Sequence, residues 1–441
     1  VGGQGMNLAA KAPRAEMVTA AAEAAGVCAR PVVSKVTDLD SGETRVVPIA
    51  CSATRASKCK PCAEKARRLR MQQCREGWHL DHEPDRPVPV EELAAHEGWF
   101  DLPGSWEPLD GDIDDDEGQG DEPERRVRST KRRQDAPDLP RAAMDPTTIG
   151  RVFESPDGKA WRPSMFITLT LPSYGRVNGE GVPVDPASYD YRRAALDAMH
   201  FSKLVDRFWQ NLRRCAGYKA QYFATVEGQR RGAPHLHAAA RGAIPRRVIR
   251  DVRAATYHQV WWPPHDRVVY DLDRLPQWSH DTAGYLDPAT GVALPTWDEA
   301  LDQLDNDPDA RPAHVLCFGE QDDIKGLIGG SPDADRSVRY LCKYLTKNMT
   351  GDDPADVSDQ RARHLDRLAE EARWLPCSED CANWLRYGTQ PKDARPGMVP
   401  GQCKRRAHDP ENLGYGGRRV LVSRQWTGKT LTAHRADRAA V

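Results

Sequence analysis

Two histidines that lie two residues apart, His235 and His237, occur in the segment GAPHLHAAARG. Because successive side chains of a β-strand alternate between its faces, this spacing directs both imidazoles to the same side. Glu227 precedes His235 by eight residues across the glycine-containing turn GQRRGA, which predicts that the two stand opposite each other on paired strands. Two imidazoles and a carboxylate suit a divalent cation, Mg²⁺ or Mn²⁺, that acts on a phosphate. Gln229 is an alternative third ligand, and an ordinary surface Glu–His pair is the plainer interpretation.

Two Tyr-x-x-Lys units follow one another in YLCKYLTK, residues 340–347. On a helix, residues four apart share a face, so Tyr340 and Tyr344 are predicted one turn apart, with Lys343 and Lys347 as a second stripe beside them. A tyrosine hydroxyl is a weak nucleophile near neutral pH because its pKa is about 10. A nearby cation favours the phenolate and offsets the charge of a phosphate. The pattern therefore indicates nucleophilic chemistry at phosphate, although helical tyrosines more often cover a sheet.

The sequence is typical of an intracellular, cytoplasmic protein. No window approaches the roughly 18 apolar residues of a membrane helix, and the early segment AAAEAAGV lacks the apolar core of a signal peptide. Eleven cysteines, an odd number and unevenly spaced, then favour metal sites and free thiols over a disulfide framework.

Two groups of cysteines have spacings that suit structural Zn²⁺. The first is built on Cys59-Lys-Pro-Cys62, which Cys28 and Cys51 complete, with Cys74 as an alternative to Cys28. The ligands of the second group are Cys377, Cys381, Cys403 and His408. Buried free thiols are the alternative for both groups. The thiols that we expect in the core instead are Cys215, Cys317 and Cys342.

The composition separates the chain into regions. Its 441 residues, 39% of them hydrophobic, suit two or three domains. The formal net charge of −2 conceals an acidic block at 107–124 and a basic block at 125–133, which are typical of self-repelling linkers; DNA contact by the basic block is the alternative. The expected regions are an N-terminal zinc-binding module at 1–80, a charged linker at 81–150, the main globular domain at 151–350 and a helical, zinc-containing, DNA-contacting region at 351–441.

Strand and helix patterns alternate within 151–350. In MFITLTLP, Ile167, Leu169 and Leu171 share one face, which predicts a strand with one buried face. The further predicted elements are a helix at 194–214, strands at 220–227 and 234–241, a helix at 245–260, an insertion at about 270–312 with one helix near 296–305, a strand at 314–320 and a helix at 337–349. This order predicts an α+β fold with a central antiparallel sheet flanked by helices.

The C-terminal segment RRVLVSRQWTGKTLTAHRADR is basic, with Trp426 interleaved, and is typical of a nucleic-acid contact; a solvated amphipathic end is the alternative. Its TGKT is not a complete phosphate-binding loop, because Ser423 occupies the position of the upstream glycine. The basic residues that we assign to DNA contact across the chain are Arg213, Arg214, Arg230, Arg231, Arg418, Arg419, Arg424 and Lys429.

Three of these motifs follow the order found in HUH endonucleases: FITLTLP, then Glu227 with PHLH, then YLCKYLTK. The chain resembles that superfamily and, within it, the replication initiators of actinobacterial plasmids and integrative conjugative elements. The catalytic resemblance covers about 160–350, and CANWLRYG and LGYGGRRVLVSRQWTGKTL extend it towards the C-terminus. The pair Tyr340 and Tyr344 is also similar to the paired tyrosines of initiators of small single-stranded DNA phages.

The resemblance implies a ferredoxin-like or RRM-like HUH domain that starts rolling-circle replication. A tyrosine would attack one strand at a double-strand origin, keep the 5′ end as a phosphotyrosine, free a 3′ hydroxyl and later allow rejoining. His235, His237 and Glu227 would hold the metal ion that polarises the phosphate. Because KYLTK matches the one-tyrosine pattern best, Tyr344 is implied as the first nucleophile and Tyr340 as the second. Origin DNA and a separate helicase are the implied partners.

Two other functions are compatible with these motifs. A two-tyrosine single-strand DNA transposase shares the same chemistry and differs in its DNA target. A zinc-stapled DNA-binding regulator with inert site residues comes from a different class of protein. A conjugative relaxase fits less well, because its tyrosines typically precede the histidine motif, whereas here they follow it.

Overall fold

The computed structural model describes residues 15–39, 41–80, 82–84, 139–154, 156–158, 160–350 and 357–439. The acidic and basic blocks of the predicted linker lie outside the described residues.

The described part of the chain mixes strands and helices. Its strands are, in order, β1 (Val32–Thr37), β2 (Thr44–Ile49), β3 (Phe153–Glu154), β4 (Ala160–Trp161), β5 (Pro163–Leu169), β6 (Tyr222–Gly228), β7 (Pro234–Arg241), β8 (Tyr257–Val260), β9 (Gln277–Ser279), β10 (Gly284–Leu286), β11 (His314–Cys317), β12 (Asp322–Ile328) and β13 (Val420–Val422). Its α-helices are α1 (Ala15–Ala24), α2 (Lys60–Trp78), α3 (Tyr191–Ala216), α4 (Arg246–Ala255), α5 (Trp297–Asn306), α6 (Pro332–Lys343), α7 (Asp359–Trp374) and α8 (Leu431–Ala439).

A five-stranded sheet in the order β12-β5-β7-β6-β13 forms the centre of the fold, and every neighbouring pair is antiparallel. The predicted antiparallel sheet in a mixed α/β fold is therefore confirmed. The sheet takes one edge strand, β13, from the C-terminal region.

Long helix α3 covers one face of this sheet. Its apolar residues recur at helical spacing and pack against the inward side chains of the strands. The Asp190 side chain accepts a hydrogen bond from Arg193 N at the start of α3, and Gly217, with φ 72°, ends it in the left-handed conformation that glycine tolerates. The core of this face includes Ile167, Leu169, Phe201, Leu204, Val226, Leu236 and Ala238.

The opposite face of the sheet is covered by α2 and α6. The strand MFITLTLP was expected to bury one face, but Phe166 on its second face is only 7% exposed. The apolar groups that pack there include Cys74, Trp78, Phe166, Phe223, Ala239, Leu341 and Trp426. The N-terminal helix α2 thus packs directly on the central sheet.

Two predicted elements, around β8 and β11, differ from the structure, and one strand of the central sheet was not predicted. The helix at 245–260 ends at Ala255, because Tyr257–Val260 pairs with β11 as strand β8. The strand at 314–320 joins β8 instead of the central sheet. The strand of the central sheet that was not predicted is β12, which pairs with β5 at one edge. As an edge strand it is largely exposed and lacks a clear apolar alternation.

The insertion contains the predicted helix near its end. Helix α5 begins with a capping box, in which Thr296 and Glu299 satisfy each other's backbone N–H groups. A short hairpin of β9 and β10 precedes it. None of the helices in the described ranges is long and apolar enough to cross a membrane.

Candidate functional site

The hairpin of β6 and β7 brings the predicted metal ligands together. Glu227 stands directly opposite His235, and Thr225 stands opposite His237. All three candidate ligands lie on the sheet face covered by α6, since Ala239 and Phe223, which share their strand parity, pack there. The ligand atoms of Glu227, His235 and His237 lie within 4.8 Å of one another, so one ion can contact all three.

Hydrogen bonds fix the orientation of both imidazoles. His235 Nδ1 lies 2.9 Å from the Glu227 carbonyl oxygen, which only accepts, so Nδ1 carries the proton and Nε2 is left with its lone pair. His237 Nδ1 lies 2.9 Å from Thr168 Oγ1. The two Nε2 atoms converge to 2.8 Å. Such partners behind the ring are the usual support of a metal-binding histidine.

Burial sets the protonation of the three groups. It lowers the pKa of His235 to about 4 and, together with the neighbouring His235, that of His237 to about 3, so both rings are neutral at pH 7. Burial raises the pKa of Glu227 to about 7, against the opposing influence of Arg419 and Lys343. A cation at this position would stabilise the carboxylate. Neutral imidazoles beside a carboxylate are the donor set that a divalent ion requires.

The alternative third ligand, Gln229, points into the hairpin turn. Its Oε1 accepts a hydrogen bond from Arg231 Nε at 2.8 Å. The Glu227 carboxylate is the acidic group beside the histidines, with its Oε2 3.9 Å from His237 Nε2.

Tyr340 on α6 lies against the histidine pair. Its ring centroid is 5.1 Å from that of His237 and 5.9 Å from that of Phe166, in edge-to-face contacts. Burial and then the charge of Glu227 raise the pKa of Tyr340. The side chain nevertheless remains 44% exposed, so it reaches solvent at the edge of the ligand cluster.

Tyr344 lies beyond the helix, so the predicted continuous helix over 337–349 is wrong. Helix α6 ends at Lys343, and Tyr344 is its C-cap with φ −100° and ψ 7°. Lys343 Nζ and Lys347 Nζ approach the Tyr344 ring at 5.0 and 5.4 Å from its centroid. Both lysine ammonium groups therefore lie beside the Tyr344 ring, whereas the Tyr340 ring lies against the His237 ring. Where the chain turns, Arg419, distant in sequence, binds the Tyr344 and Lys347 carbonyls.

The first cysteine cluster combines the four thiols of the main prediction: Cys28, Cys51, Cys59 and Cys62. Cys28 and Cys51 flank the β1–β2 hairpin, and Cys59 caps the N-terminus of α2. Cys28 Sγ lies 4.0 Å from Cys59 Sγ. The alternative ligand Cys74 is fully buried in the core beside Cys342, away from this cluster.

The second cluster combines Cys377, Cys381, Cys403 and His408. Cys377 Sγ lies 4.0 Å from Cys403 Sγ, and Cys381 Sγ lies 3.5 Å from His408 Nε2. His408 Nδ1 donates to the Ala372 carbonyl, which leaves Nε2 free as a ligand. Both clusters are thus chemically suited to Zn²⁺. Of the three expected core thiols, Cys342 is buried, whereas Cys215 is half-buried and Cys317 is exposed.

The basic residues assigned to DNA lie on separate elements and differ in their contacts. Arg231 donates to the Leu171 and Pro172 carbonyls at 2.7 and 2.8 Å, and so braces the loop after β5. The other engaged side chains are Arg213 with the Ala220 carbonyl, Arg230 with the Gly179 carbonyl, Arg419 with three carbonyls and Lys429 with Asp437. The exposed arginines of the set are Arg214, Arg230, Arg418 and Arg424.

Trp426 is not on the surface, so this side chain does not form the nucleic-acid contact expected of the basic segment. The side chain is fully buried and donates from Nε1 to the Gln73 carbonyl at 3.1 Å. Arg241 stands over its ring, 5.3 Å from the centroid. A tryptophan among basic residues is typical of a nucleic-acid interface, but this side chain packs in the core between α2 and β13.

Two supporting residues had weak signals in the sequence. Thr168 lies on the polar face of the predicted strand, and only the pairing Thr168↔His237 reveals that its hydroxyl orients an imidazole. Arg55, in the loop of the first cysteine cluster, binds Glu411 and Asn412 of the C-terminal region. These residues are more than 350 positions apart in the sequence, so no local pattern predicts the contact.

Comparison with known proteins gives the family. The family model described as "RepSA: Replication initiator protein, pSAM2" matches residues 14–441. A curated replication initiator protein of Streptomyces ambofaciens is 32% identical over 241 residues, which cover 46% of this chain and 47% of that protein, so the chain spans about half the length of this relative. No solved structure gives a significant match. Since the family model covers almost the whole chain, the protein belongs to the RepSA family of replication initiator proteins.

Proposed function

We propose that the protein starts rolling-circle replication as a metal-dependent, tyrosine-using endonuclease of the HUH class. The family supports a role in replication initiation. The observation that carries the nicking mechanism is the juxtaposition of a three-ligand cluster with a tyrosine 5.1 Å from one of its imidazoles. The substrate is the origin DNA of a plasmid or integrative conjugative element, and unwinding beyond the nick is assigned to a separate helicase.

Glu227, His235 and His237 are the residues that hold Mg²⁺ or Mn²⁺ in this proposal. An ion held there would polarise the scissile phosphate and offset its charge. The chain itself contributes the orientation of the ligands, because the Nδ1 atoms are tied to the Glu227 carbonyl and to Thr168. Three protein ligands leave coordination positions for phosphate oxygens.

The proposed reaction is a transesterification that needs no external energy source. A tyrosine oxygen forms a bond to phosphorus, and the bond from phosphorus to the 3′ oxygen breaks. The leaving 3′ oxygen takes up a proton and becomes the hydroxyl that primes synthesis, while the 5′ end stays on the tyrosine. Attack by a 3′ hydroxyl on the phosphotyrosine later rejoins the strand and restores the side chain.

Both tyrosines are assigned a part in this chemistry. Tyr344 is assigned the first attack on its match to the one-tyrosine pattern, and the ammonium groups of Lys343 and Lys347 beside its ring would offset the charge of a phosphate. Tyr340, which stands against His237, is assigned the second attack.

The two cysteine clusters are proposed to hold one structural Zn²⁺ each. Cross-linking by zinc suits loop-rich regions with few apolar residues of their own. The test is the zinc content of the purified protein, with two ions per chain expected. Cys62→Ser and Cys403→Ser should each lose one ion, and Cys215→Ser, outside both clusters, should lose none. Equal zinc content in all four proteins would contradict the assignment.

The nicking proposal is tested with a labelled single-stranded origin oligonucleotide and Mn²⁺. A covalent protein–DNA adduct is expected for the wild type, and it should be lost in the double variant Tyr340→Phe/Tyr344→Phe and in His237→Ala. Tyr270→Phe is the matched control, because its hydroxyl binds Asp287 in the insertion, away from the ligand cluster.

The outcome also separates the enzyme from a regulator. If the wild type binds the oligonucleotide but forms no more adduct than the double variant, the enzyme proposal is wrong and a DNA-binding regulator remains. Single variants assign the order of attack. Loss of the first nick in Tyr340→Phe alone would overturn the assignment of Tyr344 as first nucleophile.

A further inference from the structure

The segment 344–349, which follows helix α6, is fastened to strand β6 by a single arginine side chain. Arg419 Nε donates to the Val226 carbonyl at 3.2 Å, and its Nη2 donates to the Tyr344 carbonyl at 2.9 Å. Its Nη1 donates to the Lys347 carbonyl. One guanidinium therefore connects the strand that carries Glu227 to the segment that carries Tyr344.

A second contact holds the same segment on the other side of Glu227. A Cβ atom at Gly228 would lie 1.6 Å from the Met349 carbonyl oxygen, so only glycine allows this close approach. The Met349 N–H in turn donates to the Glu411 carbonyl at 3.1 Å. The segment is thus fixed against both neighbours of Glu227 in β6.

The chemistry of arginine explains why this residue type occupies the position. A carbonyl oxygen has two lone pairs, so the Tyr344 carbonyl accepts from both the Lys347 N–H, at 3.1 Å, and Arg419. The planar fork of a guanidinium offers five N–H groups in fixed directions. It can serve carbonyls of two segments at once, whereas a lysine ammonium is a compact point charge without that geometry. Positive charge at a helix C-terminus is also favourable.

We infer that Arg419 is a positioning residue that holds the Tyr344 segment against the strand that carries Glu227, an inference that rests on the proposed nicking function. Tyr340 belongs to α6 and is held by the His237 and Phe166 rings, so its placement does not depend on Arg419. Arg419 therefore determines how the reaction is divided between the two tyrosines.

The experiment measures adducts on the two tyrosines separately. Trypsin cleaves after Arg339, Lys343 and Lys347, so Tyr340 and Tyr344 fall in different peptides, YLCK and YLTK. In Arg419→Met, the nucleotide-linked YLTK peptide should fall on the order of 100-fold, because small misplacement of a reacting group has effects of that size. The linked YLCK peptide should persist, and Arg419→Lys should fall in between.

Arg241→Met is the matched control. Arg241 is also buried and binds main-chain carbonyls, of Gly77 and Gln425, but none in 344–349. Loss of this arginine should lower stability and leave the YLTK to YLCK adduct ratio unchanged. A ratio that shifts equally in Arg241→Met and Arg419→Met, or that does not shift in Arg419→Met, overturns the inference.

A measurement without DNA separates this inference from the nicking proposal. Hydrogen–deuterium exchange at 344–349 should be faster in Arg419→Met than in the wild type, with unchanged exchange in α3. If the wild type forms no adduct, the nicking proposal fails, and unchanged exchange at 344–349 would then refute the positioning role as well. Wild-type adduct confined to YLCK also overturns the inference.

Discussion

Thr168→Val is the sharpest test of how the ligand cluster is oriented. For His237 to offer its Nε2 lone pair to a metal ion, Nδ1 must carry the proton and donate it to Thr168 Oγ1, 2.9 Å away. Valine has the same shape and suits a strand, but it removes that acceptor. The buried Nδ1–H is then unpartnered, and the ring gains by moving the proton to Nε2, which cannot bind metal.

The size of this effect follows from the cost of an unpaired buried donor, about 1–3 kcal/mol, which corresponds to a rise of about 5- to 140-fold in the dissociation constant for Mn²⁺. Loss of the partner of a ligand histidine usually has an effect of about 10- to 100-fold, within this range. The assay is Mn²⁺ titration followed by electron paramagnetic resonance or calorimetry.

Thr170→Val is the control for Thr168→Val. Thr170 lies on the same strand face, and its hydroxyl donates to the Gln321 carbonyl at 2.9 Å without touching a histidine. Its Mn²⁺ affinity should equal that of the wild type. Equal affinity in Thr168→Val would refute the argument that Thr168 sets the tautomer of His237.

Three further predictions concern pH, close packing and the core. Because burial raises the pKa of Glu227 to about 7, protons compete with Mn²⁺ below that pH, and lowering the pH from 8 to 6 should weaken binding about tenfold; Glu227→Gln should bind weakly with no such dependence. Gly228→Ala should displace the Met349 carbonyl and reduce adduct formation, whereas Gly326→Ala, a strand glycine with open space around it, should keep wild-type activity; equal activity of the two would be inconsistent with the packing. Trp426→Ala should lower the free energy of unfolding by about 3–5 kcal/mol in urea titration, since the ring is fully buried, and a small loss would argue against its core position.

The ligand cluster was predictable from sequence because local rules determine it. The two-residue strand period places His235 and His237 on one face, and the short turn sets Glu227 opposite His235. Both cysteine clusters follow from ligand spacing in the same way, at least as candidate sites.

The features that sequence analysis missed depend on contacts between distant segments. Helix α6 ends at Lys343, and Arg419 binds two carbonyls of the segment that follows it, a contact that helical periodicity alone could not reveal. Trp426 is in the core because α2, more than 340 residues earlier, packs over it. Strand β12 was not predicted because it pairs with β5 only and is largely exposed, so its sequence shows little alternation of apolar and polar residues.

These distant contacts converge on the tyrosine segment. Ala56 N, in the loop of the first cysteine cluster, donates to the Thr346 carbonyl at 2.8 Å, and Arg419 precedes the edge strand β13. N-terminal and C-terminal regions therefore both support the segment that carries Tyr344. Ala56 belongs to the region predicted at 1–80 and Arg419 to the region predicted at 351–441.

Mass spectrometry of the adduct peptides tests most directly whether a tyrosine beside the ligand cluster attacks the DNA. Wild-type protein is incubated with the origin oligonucleotide and Mn²⁺, then digested with nuclease and trypsin. If the nicking mechanism is right, a nucleotide is expected on YLTK or YLCK, residues 344–347 or 340–343, and it should be lost in His237→Ala. Unmodified YLTK and YLCK with an intact oligonucleotide, or modification undiminished in His237→Ala, would contradict it.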